Sequence, residues 1–108
     1  MTLNELKTLL KATGYPVAYL QFKATPNNPA PKPPFITYIV DSSSNFFADN
    51  VTYSKASNVS IELYTNTKDL NAESKLESLL DEIEIPYDSY ETYIDSEDLY
   101  QKIYEARL

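Results

Sequence analysis

Four segments of this chain repeat their apolar residues with a recognisable period, and between them they predict most of the elements. Leu3, Leu6, Leu9 and Leu10 recur at helical spacing behind Thr2-Leu3-Asn4-Glu5, a capping-box pattern with Thr2 as N-cap and Glu5 three residues on. Gly14 and Pro16 supply the stop, so the spacing predicts a helix over about 2–12. Ala72, Leu76, Leu79, Leu80 and Ile83 form a second helical stripe, with Glu73, Lys75, Glu77, Asp81 and Glu82 expected on the solvent side. Asp69 or Asn71 caps it, and Pro86 ends it after about residue 84.

The strands follow a period of two. Phe35-Ile36-Thr37-Tyr38-Ile39-Val40 is β-branched and aromatic, as a well-buried central strand requires. Val59, Ile61 and Leu63 alternate with Ser60, Glu62 and Tyr64, which suits a sheet with one covered face. Residues 17–22 and 51–53 read as shorter strands, and 87–95 and 99–108 as two strands joined by a hairpin turn at Ser96-Glu97-Asp98. Counted without the three-residue segment 51–53, the order is α-β-β-β-α-β-β, which lacks regular alternation. It predicts an α+β fold, a mainly antiparallel sheet with two helices packed on one face.

Two segments fall outside these periods. Residues 24–34 hold Pro26, Pro29, Pro31, Pro33 and Pro34, five of the seven prolines, so the stretch reads as an extended, stiff loop. Such a loop loses little chain entropy on ordering, which suits either an arm that docks on a neighbour or a plain connector. Residues 41–50 read as a polar loop that carries Asn45, Phe46 and Phe47. Those three residues and the five loop prolines are the candidate protein contacts.

The 108 residues suffice for a single domain, 1–108, able to bury one modest core without crosslinks. No apolar run is long enough to span a bilayer, and the N-terminal segment reads as an amphipathic helix and not a signal peptide, so a soluble, unanchored chain is expected. Composition bears on function more than on fold. There is no histidine and no cysteine, and only one glycine, against ten tyrosines and four phenylalanines. The commonest general base, the commonest metal ligand and every thiol mechanism are therefore missing, and so is any glycine-rich phosphate cradle. Asp95-Ser96-Glu97-Asp98 lacks the ligand spacing of a calcium loop. Carboxylate pairs such as Asp81 with Glu84, or Glu97 with Asp98, need environments that separate their pKa values, which a solvated helix face does not give. A carboxylate hydrolase would require a deep pocket holding two of them. The expectation is a non-enzyme with no cofactor, no metal and no catalytic residues.

The net charge of −7 is uneven: residues 1–55 hold five lysines against three carboxylates, and residues 56–108 four cations against thirteen. An acidic surface disfavours binding to a phosphate backbone. Tyr38, Tyr64, Tyr93, Tyr100 and Tyr104 are expected to line a sheet face left bare by the helices, either as subunit contacts or as an ordinary aromatic surface.

One ordered set of segments carries a resemblance. It runs from Pro34-Phe35-Ile36-Thr37-Tyr38 through Asn45-Phe46-Phe47-Ala48-Asp49-Asn50 and Tyr53 to Ile61-Glu62-Leu63-Tyr64-Thr65 and Lys68-Asp69. It continues with Glu77, Leu80-Asp81-Glu82, Glu91-Thr92-Tyr93-Ile94 and Tyr100-Gln101-Lys102-Ile103-Tyr104-Glu105. The succession resembles the minor tail proteins of siphophages and Gram-positive prophages known as tail terminators, or tail-to-head joining and tail completion proteins. The resemblance implies a structural virion protein at the head–tail junction, made in the host cytoplasm. It implies assembly with itself into a ring, usually a hexamer, that caps the tail tube and meets the head connector or completion protein. DNA would be only passing cargo, with no membrane partner and no catalytic residues. The alternatives are a different head–tail connector or completion protein, or a monomeric adaptor that binds a peptide at a sheet edge.

Overall fold

The computed structural model describes residues 1–27, 29–48 and 51–108; within 42–48 and 51–57 it describes the backbone alone. Helix α1 spans Leu3–Lys11, and its first turn closes as the sequence requires. The Glu5 amide donates to Thr2 Oγ1 and the Thr2 amide donates to Glu5 Oε1, each at 3.1 Å, which satisfies donors that a bare helix start leaves unpaired. Strand β1 is short, Val17–Tyr19. It stops because Leu20 turns to φ 69°, and the Gln21 amide then bonds back to the Tyr19 carbonyl at 2.8 Å. After the proline loop come β2, Phe35–Ala48, and β3, Val51–Thr65. Helix α2, Leu70–Glu82, starts at Asp69, whose carboxylate accepts from the Ala72 amide at 3.0 Å. Strands β4, Tyr87–Ile94, and β5, Leu99–Arg107, complete the chain around a 3₁₀ turn at Asp95–Glu97, with Asp98 in the left-handed region.

The sheet order is β1-β2-β3-β5-β4, antiparallel except for the parallel β1–β2 pair. The fold is therefore α+β with a mostly antiparallel sheet, in the predicted order of elements. Ile36 pairs with Leu63, Tyr38 with Ile61, and Ile61 with Tyr104, so these side chains point to one face. Leu6 and Leu10 of α1 and Ala72, Leu76 and Leu80 of α2 bury themselves against that face, and all of these residues form one core. Both helices thus cover the same side.

Three readings change. Tyr104 and Tyr38 do not line a bare face: Tyr104 is fully buried and Tyr38 5% exposed, both under the helices. Tyr93 and Tyr100 pair with each other on that same side, which leaves only Tyr64 of the five on the open face. Strand parity makes the choice. Residue 104 shares a face with Ile61, and no periodicity within β5 could say which of its two sides meets the helices. Glu73 is not on the solvent side either; it is 5% exposed, for a reason given below. Finally, residues 41–48 are not a loop, because β2 runs to Ala48, which pairs with Val51. The serine run that read as loop is held in ladder by its partner strand, a non-local term that local propensity does not contain. Only Asp49 and Asn50 of that expected loop lie outside the described residues, as does Asn28 of the proline loop.

Candidate protein-contact surface

The β2–β3 hairpin is longer than the sheet that holds it. Strand β5 pairs with β3 only from Asn58 onward, and β1 pairs with β2 only at Ile36, Thr37 and Tyr38. From Ser42 to Ala48 and from Val51 to Ser57 the two strands pair with each other alone, among the described residues. Seven residues at about 3.4 Å each make a ribbon on the order of 20 Å long. Register shifts between Val40 and Ser42 and between Asn45 and Phe47 bend it where it leaves the sheet and again near its end. Of the expected contact residues, Asn45, Phe46 and Phe47 fall on this ribbon, so they are strand residues and not loop residues; their side chains lie outside the described residues.

The prolines sit elsewhere. Pro26 and Pro29 are exposed, while Pro31, Pro33 and Pro34 are half-buried, with a cis bond between Pro33 and Pro34. The loop folds over the end of the open face and leaves a groove of about 640 Å³ lined by Phe22, Pro31, Pro33, Phe35, Tyr64 and Leu99, among others. Stacking holds the groove's floor in shape: Phe35 lies parallel to Tyr64 at 4.8 Å and Phe22 meets Phe35 edge-on at 5.5 Å. The structure therefore separates the two sets of candidate residues into a groove at one end of the sheet and a ribbon beyond its main body.

The open face between them is polar and well bonded. The Tyr64 hydroxyl donates to Glu62 at 2.8 Å and accepts from the Gln101 amide at 3.0 Å. Burial, then the adjoining Glu62 carboxylate, pushes the Tyr64 pKa up to about 12. The Thr37 hydroxyl, 3% exposed, lies against this cluster without a hydrogen bond of good geometry. Further along, Ser60 Oγ lies 2.5 Å from Asp41 and 2.8 Å from Glu105, and Tyr90 donates to Glu105 at 3.0 Å. Asp41, Asp88 and Glu105 also line a groove of about 510 Å³ with Arg107. Asp41 and Glu105 both accept from the one Ser60 hydroxyl at the side of this groove.

On the helix side, the buried Glu73 is explained by its partners. Lys68 lies 2.9 Å and Lys102 3.4 Å from its carboxylate, and both lysines also reach Glu91 of β4. Two cations between two carboxylates make the burial tolerable. The Lys68 contact, then the Tyr100 hydroxyl, holds the Glu91 carboxyl down to about 2, well below its ordinary 4.5. A depressed folded-state pKa contributes stability that is complete above the unfolded value and drains away as pH falls through the folded one. Urea midpoints should accordingly fall between pH 4.5 and pH 2. Glu91→Gln should flatten that part of the profile, and added salt should weaken it because the pair is partly exposed. An unchanged profile in the variant would show that other carboxylates dominate.

Sequence reasoning missed the sheet's lateral edges. Strand β4 forms one margin, with Tyr90 51% and Tyr93 47% exposed. At the other margin Tyr19 is 48% and Leu20 52% exposed. One signal was available: in Tyr87-Asp88-Ser89-Tyr90-Glu91-Thr92-Tyr93 neither face carries an aliphatic residue, as expected of a strand that buries little. The chain matches no protein-family model and no curated protein. No helix among the described residues is long and apolar enough to cross a membrane.

Proposed function

We propose that this chain is a structural subunit of a phage tail, a tail-terminator-like protein that forms a ring on the end of the tail tube and meets the head connector. The observation that carries the reading is the self-paired ribbon of β2 and β3. Two-stranded hairpins are marginal in water on their own, and this one continues for five residue pairs, from Ser43 with Ser57 to Ala48 with Val51, past the sheet that could support it. A ribbon with two free edges gains most when another chain or a tube surface covers it. A second support is the kind of surface that surrounds it, with exposed tyrosines and a proline-stiffened groove, both suited to protein contact. In this reading the ring's neighbours are copies of the chain, the tail tube protein and a head completion protein, and its place is the virion's head–tail junction.

The test is electron microscopy of particles made without the protein. Overlong or headless tails are the expected result. Normal particles would overturn the terminator reading and turn attention to an adaptor that binds a peptide along β4, the reading which that strand's free edge favours.

A further inference from the structure

The groove at the end of the open face, about 640 Å³ in volume, is walled on two sides and floored with aromatic rings. One wall comes from the connection between β1 and β2, with Pro31 and Pro33 half-buried in it. The other comes from the β4–β5 turn, with Glu97, Asp98 and Leu99. The floor belongs to β2 and β3, where Phe35 stacks on Tyr64. Two strand spacings separate β2 from β5, so the groove is about 10 Å across. An α-helix with its side chains needs about 10–12 Å, and a single extended chain is the better fit.

Thr37 lines the floor, and its hydroxyl, shut off from water, has no hydrogen bond of good geometry. A buried hydroxyl left unpaired destabilises the fold, and a polar atom of a bound chain would relieve that. Among the described residues no cation lines the groove, and its two acidic side chains differ. Asp98 already accepts from the Tyr93 hydroxyl, whereas the Glu97 carboxylate forms no hydrogen bond or ion pair among the described residues. Leu20 adds apolar surface, 52% exposed, with its amide tied to the Tyr38 carbonyl at 2.8 Å. The groove thus offers aromatic rings, one uncompensated carboxylate and one unpaired hydroxyl.

We infer that this groove binds a proline-rich segment of another protein, held in the polyproline II conformation and carrying a lysine or arginine. The groove lies across a sheet face and not along an edge, so it gives an incoming backbone no ladder to join. Polyproline II suits such a site, because its backbone makes no internal hydrogen bonds and stays solvated. Proline rings and aliphatic side chains of the segment pack on Phe22, Phe35 and Tyr64. Its cation meets Glu97, and one of its carbonyls accepts from the Thr37 hydroxyl. Little chain entropy is lost, since such a segment is stiff before it binds. This chain's own proline segment already forms a wall, so the occupant comes from elsewhere. Such a site would serve a ring subunit or a monomeric domain equally, and it goes beyond the ring reading without resting on it.

A library of short labelled peptides tests it, each with Pro-x-x-Pro and a lysine or arginine at a varied position, beside the same peptides with glutamate for the cation or alanine for the prolines. Fluorescence anisotropy against the full chain should favour basic, proline-containing members by about tenfold or more over both controls, less so as salt is added. Glu97→Lys, at an exposed position, should melt as the parent does and lose the preference for basic members. Thr37→Val keeps the shape of the side chain and deletes the unpaired hydroxyl. It should melt no lower than the parent yet bind about threefold to tenfold more weakly, a combination that a merely structural threonine would not give. Amide shifts on binding should centre on Phe22, Phe35, Tyr64 and Leu99. No member bound tighter than about 1 mM, controls bound as well as the basic peptides, binding unchanged by Glu97→Lys or by Thr37→Val, or shifts centred on β4 would each overturn the assignment.

Discussion

Cutting the ribbon back should abolish assembly while the domain stays folded. Ser43 faces Ser57 in the ladder, so residues 44–56 can be replaced by Asn-Gly, a two-residue link suited to a tight hairpin at that pair. The β5 ladder begins at Asn58 and the buried core at Val59, so nothing in the core is removed. The expected change in unfolding free energy is within about 1 kcal/mol, since the lost pairing contributes little beyond what it costs in chain entropy. The expected change in tail assembly is complete loss in complementation. A milder version, Phe46→Ser with Phe47→Ser, should weaken assembly and keep the fold. Phages that carry the shortened ribbon and still join heads to tails normally would remove the ribbon from the contact surface. A shortened chain that no longer melts cooperatively would show instead that the ribbon is needed for folding.

The largest effect on stability is expected at Tyr104. Its ring is fully buried in the core, 5.4 Å from Tyr87 in an edge-on contact, and its hydroxyl donates to Glu77 of α2 at 2.7 Å. Burial, then the Glu77 carboxylate, raises its pKa far above the usual tyrosine range, so the phenol stays protonated and can keep donating. Tyr104→Ala removes the aromatic volume between β5 and α2 and should cost about 3–5 kcal/mol, a large share of the stability of a domain this size. Tyr104→Phe keeps the volume and deletes only the donor, at about 1 kcal/mol, because Glu77 is half-exposed and can turn to water. Thermal melts distinguish the two terms, since about 1 kcal/mol corresponds to roughly 4–8 °C in a domain of this class. Equal losses in both variants would mean that the hydroxyl, and not the ring, holds α2 to the sheet.

Tyr104 also shows where sequence reading stops. In β5, Leu99, Gln101, Ile103 and Glu105 alternate with Tyr100, Lys102, Tyr104 and Ala106. Both sets are amphipathic, so hydrophobicity alone could not say which one meets the helices. Pairing with β3 settles it, because Ile61 stands beside Tyr104. Glu73 is a similar case. One turn of helix cannot reveal that Lys68 and Lys102, five and twenty-nine residues away, close over its carboxylate. The ribbon was hidden for the opposite reason: a serine run has no local tendency to extend, and only its partner strand holds it there.

What the sequence determined by itself was the order of elements, the cap at Thr2 and the apolar stripes of both helices. Those depend on neighbours a few residues apart, within reach of periodicity and capping. What only the tertiary structure decided was which face of each strand is covered and where the hairpin outruns the sheet. These are properties of strands paired across long stretches of chain, and a local pattern carries no information about which residue will lie beside it once the sheet is assembled.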